Sequence, residues 1–171
     1  MTGSVAPSVD VVDAHFRNER SIHVRTRPRD VWPWLAQMGF GRAGWYSWDI
    51  VDNLGKPSAR RLHTEWMIRA AGEPVPGGPI SFDTPVVVPP EHLALAIRRR
   101  SLGPWTIDFV LRYRLSPCNA GTDLATVATG RIDGPLGRWF ARWVLGPGDG
   151  VMVRKQLRGV RQRAERRVGA R

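Results

Sequence analysis

A chain of 171 residues, 42% hydrophobic and 24% charged, has the size and composition of one globular domain, which excludes wholesale disorder. The single cysteine, Cys118, excludes an internal disulfide. No run approaches the ~20 apolar residues of a membrane span, and the formal net charge is +11. Met1 to Val12 has neither a basic n-region nor an apolar h-region, so no signal peptide is expected and the expected location is cytoplasmic.

Residues 1–18 are mixed and polar and read as a loose arm ahead of a single domain over 19–168. From Glu19 to Thr26, Ile22 and Val24 alternate with polar residues, the pattern of a half-buried strand. A helix follows. Pro28 suits its first turn, where the missing N–H had no partner, and Asp30 complements the positive end of the helix dipole. Val31, Trp34, Leu35 and Met38 form one apolar stripe, and Gly39 is the expected C-cap. Trp45 to Gly55 reads as a short aromatic helix.

Strands are expected at Met67–Ala71, Pro79–Asp83, Pro85–Val88 and His92–Arg100. The strongest runs from Trp105 to Leu115. Trp105, Ile107, Phe109, Leu111, Tyr113 and Leu115 share one face and Thr106, Asp108, Val110, Arg112 and Arg114 the other, as in an antiparallel sheet covered on one side. Ser116-Pro117-Cys118-Asn119 reads as a turn, and Thr122–Asp133 as a further strand. Leu136–Leu145 carries Trp139, Phe140, Trp143 and Val144 at helical spacing. Gly146–Gly150 interrupts it, and then Val153, Leu157, Val160, Ala164 and Val168 mark a long amphipathic helix. Strand, two helices, a run of strands and a last helix make an α+β class.

The stretch Val31 to Asp49, VWPWLAQMGFGRAGWYSWD, resembles a pattern in one branch of the SRPBCC superfamily, the START-like or polyketide cyclase/dehydrase-like proteins. The stretch Gly148 to Val160, GDGVMVRKQLRGV, is similar to the start of that branch's last helix. The resemblance covers roughly residues 20–70 and 145–166. It implies a helix-grip fold, in which a curved antiparallel sheet wraps a long C-terminal helix around an apolar cavity. Members bind lipids, polyketides, hormones or other apolar molecules, and some are aromatase/cyclases. Phe40 stands where a polar residue is common in that branch.

On this reading the cavity is lined by Ile107, Phe109, Leu111 and Tyr113 from the long strand, by Trp45, Trp48 and Trp66, and by Val153 and Leu157 from the last helix. Arg42, Tyr46 and Asp49 are the candidates to hold a polar ligand end at the mouth. The plainer alternative is an Arg42–Asp49 pair that pins the glycine turn, with the rings in the core. Gly146–Gly150 is the expected hinge of a gating helix.

Catalytic signals are sparse. Gly39 to Gly44 fits G-x-G-x-x-G but follows a helix instead of a strand, so it lacks the context of a dinucleotide site. No nucleophile elbow occurs. Among the acid–base groups Asp49, Asp52, Glu65, Glu73, Asp83 and Tyr46, Asp49 and Tyr46 are the best placed for a cyclase-like reaction, and the plainer reading is of surface or capping carboxylates. His15, His23, His63 and His92 are scattered, and Cys118 has no matched ligand set in the sequence, so no metal or cofactor is expected. Residues 151–171 hold eight basic side chains, Arg158, Arg161 and Arg166 among them, against Glu165 alone. With one helix face buried, the outer arginines suit an anionic membrane surface better than nucleic acid. The expected function is a carrier or binding module for a small hydrophobic molecule. The alternatives are a polyketide cyclase/aromatase-like enzyme and an interaction protein that uses the basic helix.

Overall fold

The computed structural model describes residues 9–140 and 146–169. Six strands form one antiparallel sheet: β1 (Phe16–Val24), β2 (Val75–Pro76), β3 (Ser81–Val88), β4 (His92–Leu102), β5 (Trp105–Cys118) and β6 (Gly121–Asp133), in the spatial order β1-β6-β5-β4-β3-β2. Between β1 and β2 lie α1 (Pro28–Ala36), α2 (Asp49–Asp52) and a 3-10 turn at Thr64–Trp66. After β6 come α3 (Gly137–Phe140) and the long α4 (Gly146–Gly169). The curved sheet, with helices on one side, is a helix-grip fold.

The inner sheet face carries Leu93 and Leu95 of β4, Leu111, Tyr113 and Leu115 of β5, and Leu124 and Ala128 of β6. They share one core with Val31, Trp34, Leu35 and Met38 of the α1 region and with Val153, Leu157, Val160 and Ala164 of α4. Both helical stripes therefore meet the same sheet face, the condition for burying an amphipathic helix. The side chain of Val168, the last of the α4 stripe, lies outside the described residues. On the outer face Val110 and Ala96 are also buried, under Val11. The segment is held there by Val11 N–H donating to Thr129 Oγ1 (3.3 Å) and by Asp10 paired with Arg112 (2.9 Å) and Arg17 (3.3 Å). Residues 1–8 of the expected arm lie outside the described residues.

Several elements differ from their sequence expectation. The two short strands expected around Thr84-Pro85 are one strand, β3. Its register shifts between Asp83 and Val86, so Pro85 sits in a bulge, where its missing N–H breaks no ladder bond. A second shift between Ile97 and Arg100 bends β4. Met67–Ala71 is not a strand, because the Glu73 carboxylate accepts the Arg69 and Ala70 N–H groups (2.9 and 2.7 Å) and closes a turn. β5 runs on through Cys118, and Trp105 at its start is exposed, with its indole N–H donating to Pro135 O (3.0 Å).

Gly39 does not cap α1. Gln37 does so, and Gly39, at φ +147°, bridges to Gly44 instead. Trp45 to Trp48 is irregular and only Asp49–Asp52 is helical. Tyr46 takes φ +58°, outside the helical range, and its N–H donates to Ser58 Oγ (3.2 Å). The expected break at Gly146–Gly150 is helical backbone, the first turns of α4, with Pro147 at a position the first turn tolerates. The expected interruption ahead of the last helix is therefore not present. In the expected Leu136–Leu145 helix, Gly137–Phe140 is helical with Trp139 exposed, and Trp143 and Val144 lie outside the described residues.

Candidate functional site

Three concave regions stand out among the described residues. One, of about 650 Å³, lies on the outer sheet face among Arg17, Glu19, Arg112 and Arg114. Another, of about 680 Å³, lies among Arg60, Arg61, Arg163, Arg166 and Arg167 beside Trp34. Both carry several charged side chains in their walls. The third, of about 510 Å³, sits between the inner sheet face and the first half of α4, and it has the apolar wall that a small-molecule site needs.

The floor of this pocket is Phe109 and Leu111 of β5. Phe82 of β3 and Trp45 form one side, in an edge-to-face pair with centroids 5.4 Å apart, and Phe82 tilts against Phe109 at 6.4 Å. Met152, Val153 and Gln156 of α4 form the roof, and Phe40, Ser47, Leu54 and Gly77–Pro79 complete the rim. Leu54 is 75% exposed, so the rim reaches solvent. Gln156 is the main polar group inside. Its Oε1 accepts from the Tyr113 hydroxyl (2.7 Å), while Nε2 makes only a weak contact with Met38 Sδ (3.6 Å). An amide N–H therefore remains for an acceptor on a bound molecule.

Of the expected lining residues, Trp45, Phe109, Leu111 and Val153 line the pocket. Tyr113 and Leu157 are buried beside it, and Tyr113 acts through Gln156. Ile107 is half-buried further along β5 and does not line the pocket. Trp66 is not in the pocket either; it stacks on His63, with centroids 4.0 Å apart. Trp48 is half-exposed, with Lys155 Nζ 3.3 Å from its ring centroid.

The expected polar set does not assemble. The glycine turn is pinned by Asn53, whose Oδ1 accepts from Gly41 N–H (3.2 Å), and no Arg42–Asp49 ion pair forms among the described residues. Asp49 accepts from the Ser58 hydroxyl instead. The Tyr46 hydroxyl is buried and accepts from Gln37 Nε2 (2.7 Å). Burial pushes its phenol well above the usual range, which removes it as a proton-transfer group near neutral pH. Neither Tyr46 nor Asp49 lines the pocket. The Asp52 side chain lies outside the described residues.

Phe40, Phe82, Met152 and Gln156 are pocket residues that the sequence reading missed. Gln156 had a signal: it is a polar residue beside the apolar stripe of the last helix, one position before Leu157. Tyr113→Phe removes its buried partner and is expected to destabilise the fold by about 1–2 kcal/mol. Urea unfolding monitored by tryptophan fluorescence measures this.

Sequence spacing gives Cys118 no matched ligand set, but residues remote in the chain meet beside it. The fold brings His23 and Asp123 beside Cys118, with one donor atom of each within 4.8 Å of the others.

No protein-family model matches the chain, and no curated protein does. Among solved structures it is similar to StfQ, a di-domain ARO/CYC from the steffimycin biosynthetic pathway. The identity is 16% and the TM-score 0.57, over 90% of this chain and 51% of StfQ, so the chain spans about half of that protein. It is also similar to MLL2253 from Mesorhizobium loti (14% identity, TM-score 0.56, 88% of this chain and 98% of that one). The likeness to CV1439 from Chromobacterium violaceum is of the same order (16% identity, TM-score 0.56, 87% and 96%). At identities this low the likeness shows the fold alone, an α+β helix-grip domain. No helix among the described residues is long and apolar enough to cross a membrane.

Proposed function

We propose that this chain is an SRPBCC-type, START-like binding or carrier module for a small hydrophobic or amphipathic molecule. The observation that carries the reading is the pocket of about 510 Å³, walled by Trp45, Phe82, Phe109, Leu111 and Val153, with one inward amide at Gln156. Its size suits a molecule of a few fused rings or a short acyl chain, and Gln156 favours one with a carbonyl or phenolic oxygen at its inner end. Met152→Trp fills the roof from a half-buried position, where added bulk costs little stability. It is expected to weaken binding of an apolar fluorescent probe such as N-phenylnaphthylamine by at least about tenfold, since the ring displaces roughly 1.4 kcal/mol or more of contact. Native mass spectrometry of the purified chain, before and after organic extraction, tests the same reading without a probe. A clean mass, no saturable probe binding and no thermal shift across a lipid and polyketide panel would overturn it.

A second reading is an aromatase/cyclase-like enzyme, favoured by the fold shared with StfQ. With Tyr46 and Asp49 outside the pocket, such an enzyme works by holding a reactive polyketide in one folded conformer. Gln156→Leu then changes the product distribution of an added poly-β-ketone more than it changes affinity.

The proposed membrane contact rests on Arg60, Arg61, Arg166 and Arg167, four exposed arginines around one depression that has no carboxylate in its lining. Co-sedimentation with phosphatidylserine vesicles that falls as salt rises supports it; no dependence on anionic lipid or on salt refutes it.

A further inference from the structure

His23, Cys118 and Asp123 come from three neighbouring strands, β1, β5 and β6. His23 is paired directly across from Asp123, and Cys118 ends β5 beside the β5–β6 turn. His23 Nδ1 lies 3.2 Å from Asp123 Oδ1 and 3.6 Å from Cys118 Sγ. A tetrahedral zinc ion with Zn–N and Zn–O of about 2.0–2.1 Å and Zn–S of about 2.3 Å sets its donors about 3.3 Å apart for N and O and about 3.5 Å apart for S and N. The two distances in the structure match two edges of that tetrahedron, and the third separation, from Cys118 Sγ to the Asp123 carboxylate, is within 4.8 Å, so a small side-chain rotation closes the set.

The donor types agree with the geometry. A thiolate and an imidazole select a borderline ion such as zinc over calcium or magnesium, which prefer oxygen alone. We propose that His23, Cys118 and Asp123 form a zinc site on the sheet surface, with the fourth position left to water. His23 and Asp123 are 41% and 59% exposed, so solvent reaches that position. On binding, the Cys118 thiol releases its proton to solvent and its sulfur bonds the metal. His23 binds through Nδ1 and keeps its proton on Nε2, and Asp123 binds as the carboxylate. No bond of the chain breaks and no electron moves. The ion clips the end of edge strand β1 to the β5–β6 hairpin, joining residues 95 and 100 positions apart in the chain.

The test uses the full chain, stripped with a chelator and reduced. Zinc titrated against a chromophoric chelator is expected to bind one to one and to raise the midpoint of thermal unfolding. Cobalt is expected to give a thiolate-to-metal charge-transfer band in the near ultraviolet and the strong visible bands of a tetrahedral ion. Cys118→Ser abolishes the charge-transfer band. His23→Gln and Asp123→Asn each weaken zinc binding by at least about tenfold, the loss expected even for residues that only support a ligand. His92→Gln, a histidine elsewhere on the sheet, leaves the affinity unchanged. All three cluster side chains reach solvent, so the variants are expected to fold, and circular dichroism checks this. No stoichiometric zinc binding, or binding that survives Cys118→Ser, overturns the proposal.

Discussion

Gly159→Ala is expected to destabilise the domain by about 2 kcal/mol, although alanine normally favours a helix over glycine by up to ~1 kcal/mol. Gly159 lies in the buried part of α4, where the helix runs directly against the Tyr46 backbone. A Cβ at this position would collide with the Tyr46 carbonyl oxygen and come within 2.8 Å of Tyr46 Cβ. Tyr46 cannot retreat. Its backbone sits at φ +58°, its N–H is held by Ser58, its hydroxyl by Gln37, and its ring lies under the Arg163 guanidinium at 4.5 Å. Arg163 is fixed in turn, since its Nε donates to Ala59 O (2.8 Å) and its Nη1 to Gly159 O (3.1 Å). The helix must shift instead. For a domain of this size each kcal/mol corresponds to roughly 2–4 °C, so the thermal midpoint is expected to fall by roughly 4–8 °C. Scanning calorimetry reads this directly. An unchanged or raised midpoint would mean that helix propensity outweighs the contact with Tyr46.

Gln37→Leu is expected to cost about 3 kcal/mol, more than its change in volume suggests. Gln37 is fully buried. Its Nε2 donates to the Tyr46 hydroxyl (2.7 Å) and to Arg61 O (3.2 Å), and its Oε1 accepts from His63 N–H (2.9 Å). One amide thus ties the end of α1 to the aromatic loop and to the chain that follows it. Leucine fills much the same space but strands the buried Tyr46 hydroxyl, at about 1–3 kcal/mol, and removes the partner of the part-buried Arg61 carbonyl and His63 N–H, which water reaches in part, at a smaller cost each. The thermal midpoint is expected to drop by roughly 6–12 °C. The double variant with Tyr46→Phe gives a sharper measure. Phenylalanine removes one of the stranded groups, so the two losses should fall short of additivity. Fully additive losses would place Tyr46 and Gln37 in separate networks.

Periodicity carried much of the fold. The alternation from Trp105 to Leu115 set the inner face of β5 from Ile107 to Leu115, and the spacing of Val153, Leu157, Val160 and Ala164 set the buried face of α4. These signals are local. A residue's neighbours two, three and four positions away state whether its face is apolar, and that suffices to assign strand or helix. Glycine and proline misled where tertiary contacts supplied an alternative. Pro85 has the local signature of a strand end but sits in a bulge of β3. Gly146–Gly150 has the composition of a break but forms the first turns of α4.

The site was legible only in part, for the same physical reason. Trp45, Phe109, Leu111 and Val153 follow from asking which apolar residues face inward. Which inward residues close a core and which border a space depends on how three remote elements meet, so Tyr113 and Leu157 went to the core while Phe40, Phe82 and Met152 came to the pocket. By itself the sequence determined the class of elements, the sidedness of the sheet and the face of the last helix. Only the tertiary structure decided the partners of Gln37, the position of Tyr46, the pocket wall and the meeting of His23, Cys118 and Asp123. A pattern in sequence records which surface a side chain avoids, whereas a site requires distances between side chains, and strand pairing and helix packing fix those across the whole chain.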